Sequence, residues 1–147
     1  MSLLIRRGTA ADVNNIAVLF DEYRVWYHQH SDIEKAKQFL NDRLSRNESV
    51  IFVAEDNGKL VGFTQLYPIF SSVSMSNAWL LNDMFVSRNE RGKGIASNLL
   101  NAARQLGCEN GSKWLMLQTS CDNDAAQRLY EKNGWVKETD FFYRIDL

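Results

Sequence analysis

The residues with the most chemical content run from Arg88 to Ser97: Arg-Asn-Glu-Arg-Gly-Lys-Gly-Ile-Ala-Ser. They join an apolar run at 78–86 to an amphipathic run at 94–106. A strand-to-helix connection exposes the backbone N–H groups of the first helical turn, at the positive end of the helix dipole. An anionic phosphate satisfies such donors. Gly92, Gly94 and Ala96 carry little or no side chain, so a ligand can approach the backbone. Arg91 and Lys93 add positive charge, and Arg can grip phosphate with two N–H groups. Three motif readings compete. A P-loop needs Ser or Thr after its Lys, and here Gly94-Ile95 follows Lys93. A dinucleotide fingerprint nearly fits as Gly92-x-Gly94-x-x-Ser97, but no acidic residue stands near Leu117 and Gln118 to hold a ribose. The third reading is R-x-x-G-x-A, from Arg91 to Ala96, after a strand. The bland alternative is a glycine-rich connection decorated with surface cations.

A second group gathers near the start of the chain. Asp21, Glu22, Tyr23, Trp26 and Tyr27 combine carboxylates with aromatic rings, which suits a cationic amine through charge and cation–π contact. The ordinary alternative puts Tyr23 and Tyr27 on a helix core face, with Asp21 and Glu22 on the solvated face. His28 and His30 have no evident third ligand, so no metal is expected. Cys108 and Cys121 form no C-x-x-C pair and read as packing residues rather than nucleophiles.

These groups need a scaffold. Leu3–Arg7 reads as a first strand, and Thr9 with Asp12 as a capping box. Val13, Ile16, Ala17, Phe20, Tyr23 and Tyr27 then give one apolar helix face. A second helix spans 32–45. Residues 50–55 form a strand, Asp56-Asn57-Gly58 a hairpin turn, and 59–66 the return strand. Pro68 should stop or bend that strand, and serine-rich 70–77 reads as a loop. A strand at 78–86 precedes the helix at 94–106, which Gly107 is placed to end. Residues 113–119 form a strand. Asp124–Lys132 is a helix with Asp124 as its N-cap and Gln127 three residues on. Strands at 135–137 and 141–145 complete the sheet. Alternating strands and helices predict an α/β domain, with a mixed sheet because the central hairpin is antiparallel. No repeat or linker divides the chain, so residues 1–147 are expected to form one domain.

Composition narrows the function. Seventeen basic and 18 acidic residues leave a net charge of −1, against a nucleic-acid binder. Apolar stretches such as 50–54 are far short of the roughly 20 residues of a membrane span. Only Leu3, Leu4 and Ile5 precede Arg6 and Arg7, too few for an export signal, so free thiols in a reducing cytoplasm are expected.

Arg91 to Ala96 resembles the acetyl-CoA pyrophosphate turn of the GNAT acetyltransferase superfamily. Leu81-Asn82-Asp83-Met84-Phe85-Val86 resembles its fourth strand. Asn123 through Tyr130, followed by Glu131-Lys132-Asn133-Gly134-Trp135, resembles its Asn–helix–Tyr–x-x-x–Gly–aromatic signature. The likeness covers essentially the whole chain and is greatest to the branch of histone and polyamine acetyltransferases. It implies a mostly antiparallel sheet of about six or seven strands with about four helices, two central parallel strands splaying apart. It implies that backbone groups of Met84, Phe85 and Val86 bond the pantetheine arm of acetyl-CoA. Gly92, Lys93, Gly94, Ile95, Ala96 and Ser97 would hold the pyrophosphate beside Arg91, and Asn123 would touch the cofactor. Tyr130 would sit near the sulfur as general acid. Where polyamine acetyltransferases carry a glutamate this chain has Asn82, whose amide is no base. Asp83 is adjacent, but neighbours on a strand face opposite sides; Asp83, Glu22 and ordered water are the candidates to take the amine proton. Glu22, Tyr23, Trp26 and Asn82 are the candidate acceptor residues. The implied reaction is direct acetyl transfer to a primary amine of a small molecule, a polyamine or a protein lysine, by a homodimer. A CoA-binding module without transferase activity is the alternative.

Overall fold

In the computed structural model, residues 2–147 are described. The apolar run at 50–54 shows how the layers arise. Ile51 and Val53 point to one face of the sheet, Val50 and Ala54 to the other, and all four are buried. A strand covered on both faces reads as a continuous apolar run.

Five strands form one sheet in the order β1-β2-β3-β4-β5: β1 Leu3–Arg7, β2 Val50–Asp56, β3 Lys59–Ser71, β4 Ser76–Val86 and β5 Leu115–Met116. Pairing is antiparallel except for the β4–β5 pair. Helices α1 (Val13–Trp26) and α2 (Ile33–Ser45) cover one face, burying Ile16, Phe20 and Leu40 against Ile51, Val53 and Phe63. Helix α3 (Ile95–Glu109) covers the other through Leu99, Leu100, Ala103 and Leu106. Helix α4 (Asp124–Lys132) lies beyond β5 and has no fully buried residue. The α/β class, the four helices and the mixed, mostly antiparallel sheet agree with the sequence reading.

Local signals hold in several places. Thr9 and Asp12 form the expected capping box, which opens a 3₁₀ turn at Ala10–Asp12 ahead of α1. Asn57 and Gly58 take positive φ in the β2–β3 hairpin. Asp32 caps α2 by accepting from the Lys35 N–H.

Elsewhere tertiary context wins. Pro68 does not end β3, which continues to Ser71 and pairs Pro68 with Trp79. Strand β2 pairs only as far as Val50↔Leu66, so Pro68 has β4 on one side and no strand on the other, where a missing N–H costs nothing. The segment read as a loop at 70–77 is a hairpin, its turn closed by Met75 at φ 49°. Gly107 does not end α3 but lies inside it. Its role is packing, since a Cβ there would stand 2.6 Å from Leu115 Cδ1. Asn123, not Asp124, caps α4, accepting from the Ala126 N–H. The strand expected at 113–119 pairs only at Leu115 and Met116, and 135–137 and 141–145 form no strand. The sheet therefore has five strands among the described residues rather than six or seven.

Candidate active site

Two irregularities in β4 shape the candidate site. The first is a bulge: Gln65 pairs with Asp83 but Leu66 pairs with Leu81, leaving Asn82 as an extra residue. Trp79 and Leu81 pack toward α3, and past the bulge so does Met84, while Phe85 packs toward α1. The parity switch turns Asp83 to the α1 side, beside Tyr23, and leaves Asn82 exposed. The second irregularity is the parting of β4 from β5. Their pairing is confined to Trp79 and Leu80, so β4 residues 81–86 face no strand on that side among the described residues.

The corner at 91–97 closes one end of this gap. Gly92 and Gly94 sit at φ 78° and 81°, and a Cβ on either would meet nothing within 4 Å. Gly94 is the N-cap of α3, with no side chain capping it, and the helix's first intrahelical backbone bond runs from Asn98 N–H to the Gly94 carbonyl. The N–H groups of Ile95, Ala96 and Ser97 thus open onto bare backbone, where an anion can seat itself. The cations are already engaged. Arg91 donates from Nε to the Val86 carbonyl at 2.9 Å, with its guanidinium 5.5 Å from the Trp26 ring centre and 5.4 Å from that of Phe85. Lys93 pairs with Glu90 at 2.8 Å on the surface. Ser97 Oγ accepts from Asn133 Nδ2 at 3.1 Å, tying the start of α3 to the end of α4.

The other end of the gap is a buried polar cluster. Asp83 is 5% exposed and accepts from Gln65 Nε2 at 2.8 Å and Asn82 Nδ2 at 3.1 Å. Thr64 Oγ1 donates to the Asp83 carbonyl at 2.8 Å and locks the strand pair. Burial pushes the Asp83 carboxyl above its ordinary value, and the bonds from Gln65, Tyr23 and Asn82 only partly offset it. Tyr23 donates to the Asn82 carbonyl at 3.4 Å and packs edge-on against Phe63 and Phe85. Burial first, then Asp83 and Tyr27, raise the Tyr23 phenol. Burial and Asp83 likewise raise Tyr67. Tyr130 is half-buried beside Trp135, and burial with Tyr27 raises its phenol.

The structure therefore brings together Asp83, Tyr23, Tyr27, Tyr67 and Tyr130. Glu22 lies exposed on α1. Asp21 is not on a solvated face: it is 6% exposed and accepts from the Asp32 N–H at 2.7 Å and the Ser31 hydroxyl at 2.6 Å, holding the α1–α2 connection. Gln65 and Tyr67 escaped the sequence reading because nothing in an apolar strand marks a lone Gln or Tyr. The pairing Gln65↔Asp83 becomes visible only once the bulge fixes the register. Among the described residues no group of three or more His, Cys, Asp or Glu could hold a metal, and no helix is long and apolar enough to cross a membrane.

Known proteins resemble this chain in sequence and fold. Residues 14–135 match the Acetyltransferase (GNAT) family. An uncharacterised N-acetyltransferase of Bacillus subtilis, YhfO, is 48% identical over 139 residues, which is 95% of this chain and 93% of that one. A probable acetyltransferase of Haemophilus influenzae is 37% identical over 87 residues, 58% of this chain and 60% of that protein. The crystal structure of a probable acetyltransferase superposes with a TM-score of 0.93 at 37% identity, covering 98% of this chain and 97% of that one. The chain belongs to the GNAT family of N-acetyltransferases.

Proposed function

We propose that this enzyme moves the acetyl group of acetyl-CoA directly to a primary amine in the gap beside β4. The observation that supports it most is the parting of β4 from β5 next to a bare helix start. In this reading the N–H groups of 94–97 take the diphosphate, with Gly92 and Lys93 shaping the approach and Arg91 bracing the corner against Val86. The backbone of Met84, Phe85 and Val86, with no strand beside it, bonds the pantetheine arm as an added strand would. Asn123, at the start of α4, flanks the arm.

Acetyl-CoA supplies an activated thioester; the protein positions it and manages protons. A primary amine with a pKa of about 10 must lose a proton before it attacks. Asp83 is placed to take it, directly or through a water, and its raised pKa makes it a stronger base than an exposed carboxylate. Asn82 holds one Asp83 oxygen and Gln65 the other. Tyr130 stays protonated at neutral pH and donates a hydrogen bond to the thiolate as it departs. Tyr23 and Tyr27 offer aromatic faces to the acceptor cation. Glu22 and Trp26 stand on the same helix at the exposed rim, where a larger acceptor, a polyamine or a protein lysine, would reach.

A panel of polyamines, small primary amines and lysine peptides, read by release of CoA thiol, tests the reading. Turnover on at least one amine is expected, with Tyr130→Phe lowering kcat about 10²-fold while the KM for acetyl-CoA stays within a factor of about two. CoA binding with no turnover on any amine would make the protein a binding module instead.

A further inference from the structure

The guanidinium of Arg91 is not where a cation serving the start of α3 would lie. Helix α3 covers one face of the sheet, and α1 with α2 the other. Phe85 packs toward α1. The guanidinium stands 5.4 Å from the ring centre of Phe85 and 5.5 Å from that of Trp26, on α1 itself. The side chain therefore lies on the α1 face, at the rim of the cluster that holds Tyr23 and Asp83. Tyr23 continues the same aromatic wall, its ring centre 6.3 Å from that of Phe85.

What Arg91 offers there is specific. Its Nε donates to the Val86 carbonyl at 2.9 Å, which anchors the group. The two rings flank it and exclude part of its water. Among the described residues its Nη groups make no hydrogen bond and no carboxylate pairs with it. Glu22, one turn before Trp26 on α1, is no exception. Lys93, by contrast, is paired with Glu90. An arginine held by Nε still presents the outer edge of its fork, and two Nη groups match the two oxygens of a carboxylate. Arg91 and Trp26 are both exposed, so a ligand can reach that edge.

We infer that Arg91 selects the acceptor: a primary amine whose chain also carries a carboxylate, seated on Arg91 while the amine lies at Asp83. The inference rests on the acetyl transfer proposed above and narrows its acceptor. Residues 83 and 85 stand about 7 Å apart along β4, and the guanidinium lies beyond Phe85, toward the Val86 carbonyl that it bonds. Spanning that separation takes several carbons between amine and carboxylate. An ω-amino acid, or a lysine with a free carboxylate, fits; an amine next to its own carboxylate does not. A polyamine, with ammonium groups at both ends, would meet like charge at Arg91.

Acetylation of ε-aminocaproate and of its neutral isostere ε-aminocaproamide, by the unaltered chain and by Arg91→Gln, tests the inference. Wild type should use the acid with a kcat/KM at least about tenfold above that of the amide, and the ratio should fall to about one in Arg91→Gln. Caproate, which has no amine, should compete with the acceptor and not with acetyl-CoA, and caproamide should not compete. Equal use of acid and amide by wild type, or a ratio that survives the substitution, would overturn the inference. So would a substitution that lowers turnover of both amines equally and raises the KM for acetyl-CoA, since Arg91 would then serve the cofactor. Should Arg91→Gln fail to fold, inhibition of wild type by caproate but not by caproamide decides. If no amine turns over, the acetyl transfer fails on its own account, and calorimetric titration with caproate decides the rest. Binding to wild type and not to Arg91→Gln supports the carboxylate seat; no binding, or equal binding, overturns it.

Discussion

Asp83 shows how its surroundings set the chemistry of a single residue. On the sheet face that α1 covers it is nearly buried, and its carboxyl is pushed up despite two amide donors. The sign for stability follows. A carboxyl with a raised pKa in the folded state favours folding when protonated, and that contribution is lost as pH rises through the folded value. Asp83→Asn keeps an acceptor for Gln65 and removes the buried charge. At pH 7 the variant should melt at least as high as wild type, by about 2–4 °C if the gain is near 1 kcal/mol. Its kcat should fall about 10²-fold, and the acid limb of the kcat/KM profile should disappear. A melting point that falls together with an unchanged kcat would reduce Asp83 to a structural residue.

At the scale of elements, legibility follows from how local the cause is. The capping box of Thr9 and Asp12 and the Asn57-Gly58 turn are short-range, and both were readable. Pro68 and Gly107 were misread because their environments are not local. Pro68 survives where β2 has run out, and Gly107 sits mid-helix because Leu115 lies against it. Gly107→Ala tests that packing directly. A methyl at 2.6 Å from Leu115 Cδ1 forces side chain or helix to move, and overpacking of this kind costs about 1–3 kcal/mol. Chemical denaturation should show that loss. A variant as stable as wild type would mean that Leu115 swings aside freely. The β4 bulge lies beyond any reading of one strand, since it exists only in the register of β3 against β4.

Across the whole molecule, the alternation of strands and helices and the mixed sheet were legible from apolar periodicity and the central hairpin turn, while the strand order and the ends of the sheet were not. Residues 135–137 and 141–145 have strand-like patterns but pair with no strand among the described residues. At the opposite edge, Arg6 bridges Asp12 at 2.8 Å and Glu55 at 3.0 Å, joining β1, the first turn and β2. Arg6 holds the Asp12 carboxyl down to about 2. Stability from a lowered carboxyl is complete above its unfolded value and is lost as pH falls toward the folded one. Wild type should therefore lose about 1 kcal/mol more than Asp12→Asn between roughly pH 4 and pH 2, a modest sum because the pair touches water. Equal losses in the two proteins would show that the bridge contributes nothing.

The corner at 91–97 carries the assignment of the cofactor site, and calorimetric titration of wild type and Gly94→Ala with CoA and with S-acetylpantetheine, which lacks the diphosphate, tests it most directly. The methyl adds about 1 kcal/mol of strain at positive φ, visible as a lower melting point, and stands where an anion would approach. CoA affinity should fall at least about tenfold in the variant while S-acetylpantetheine affinity is unchanged. CoA bound equally by both proteins would contradict a diphosphate seated on this backbone.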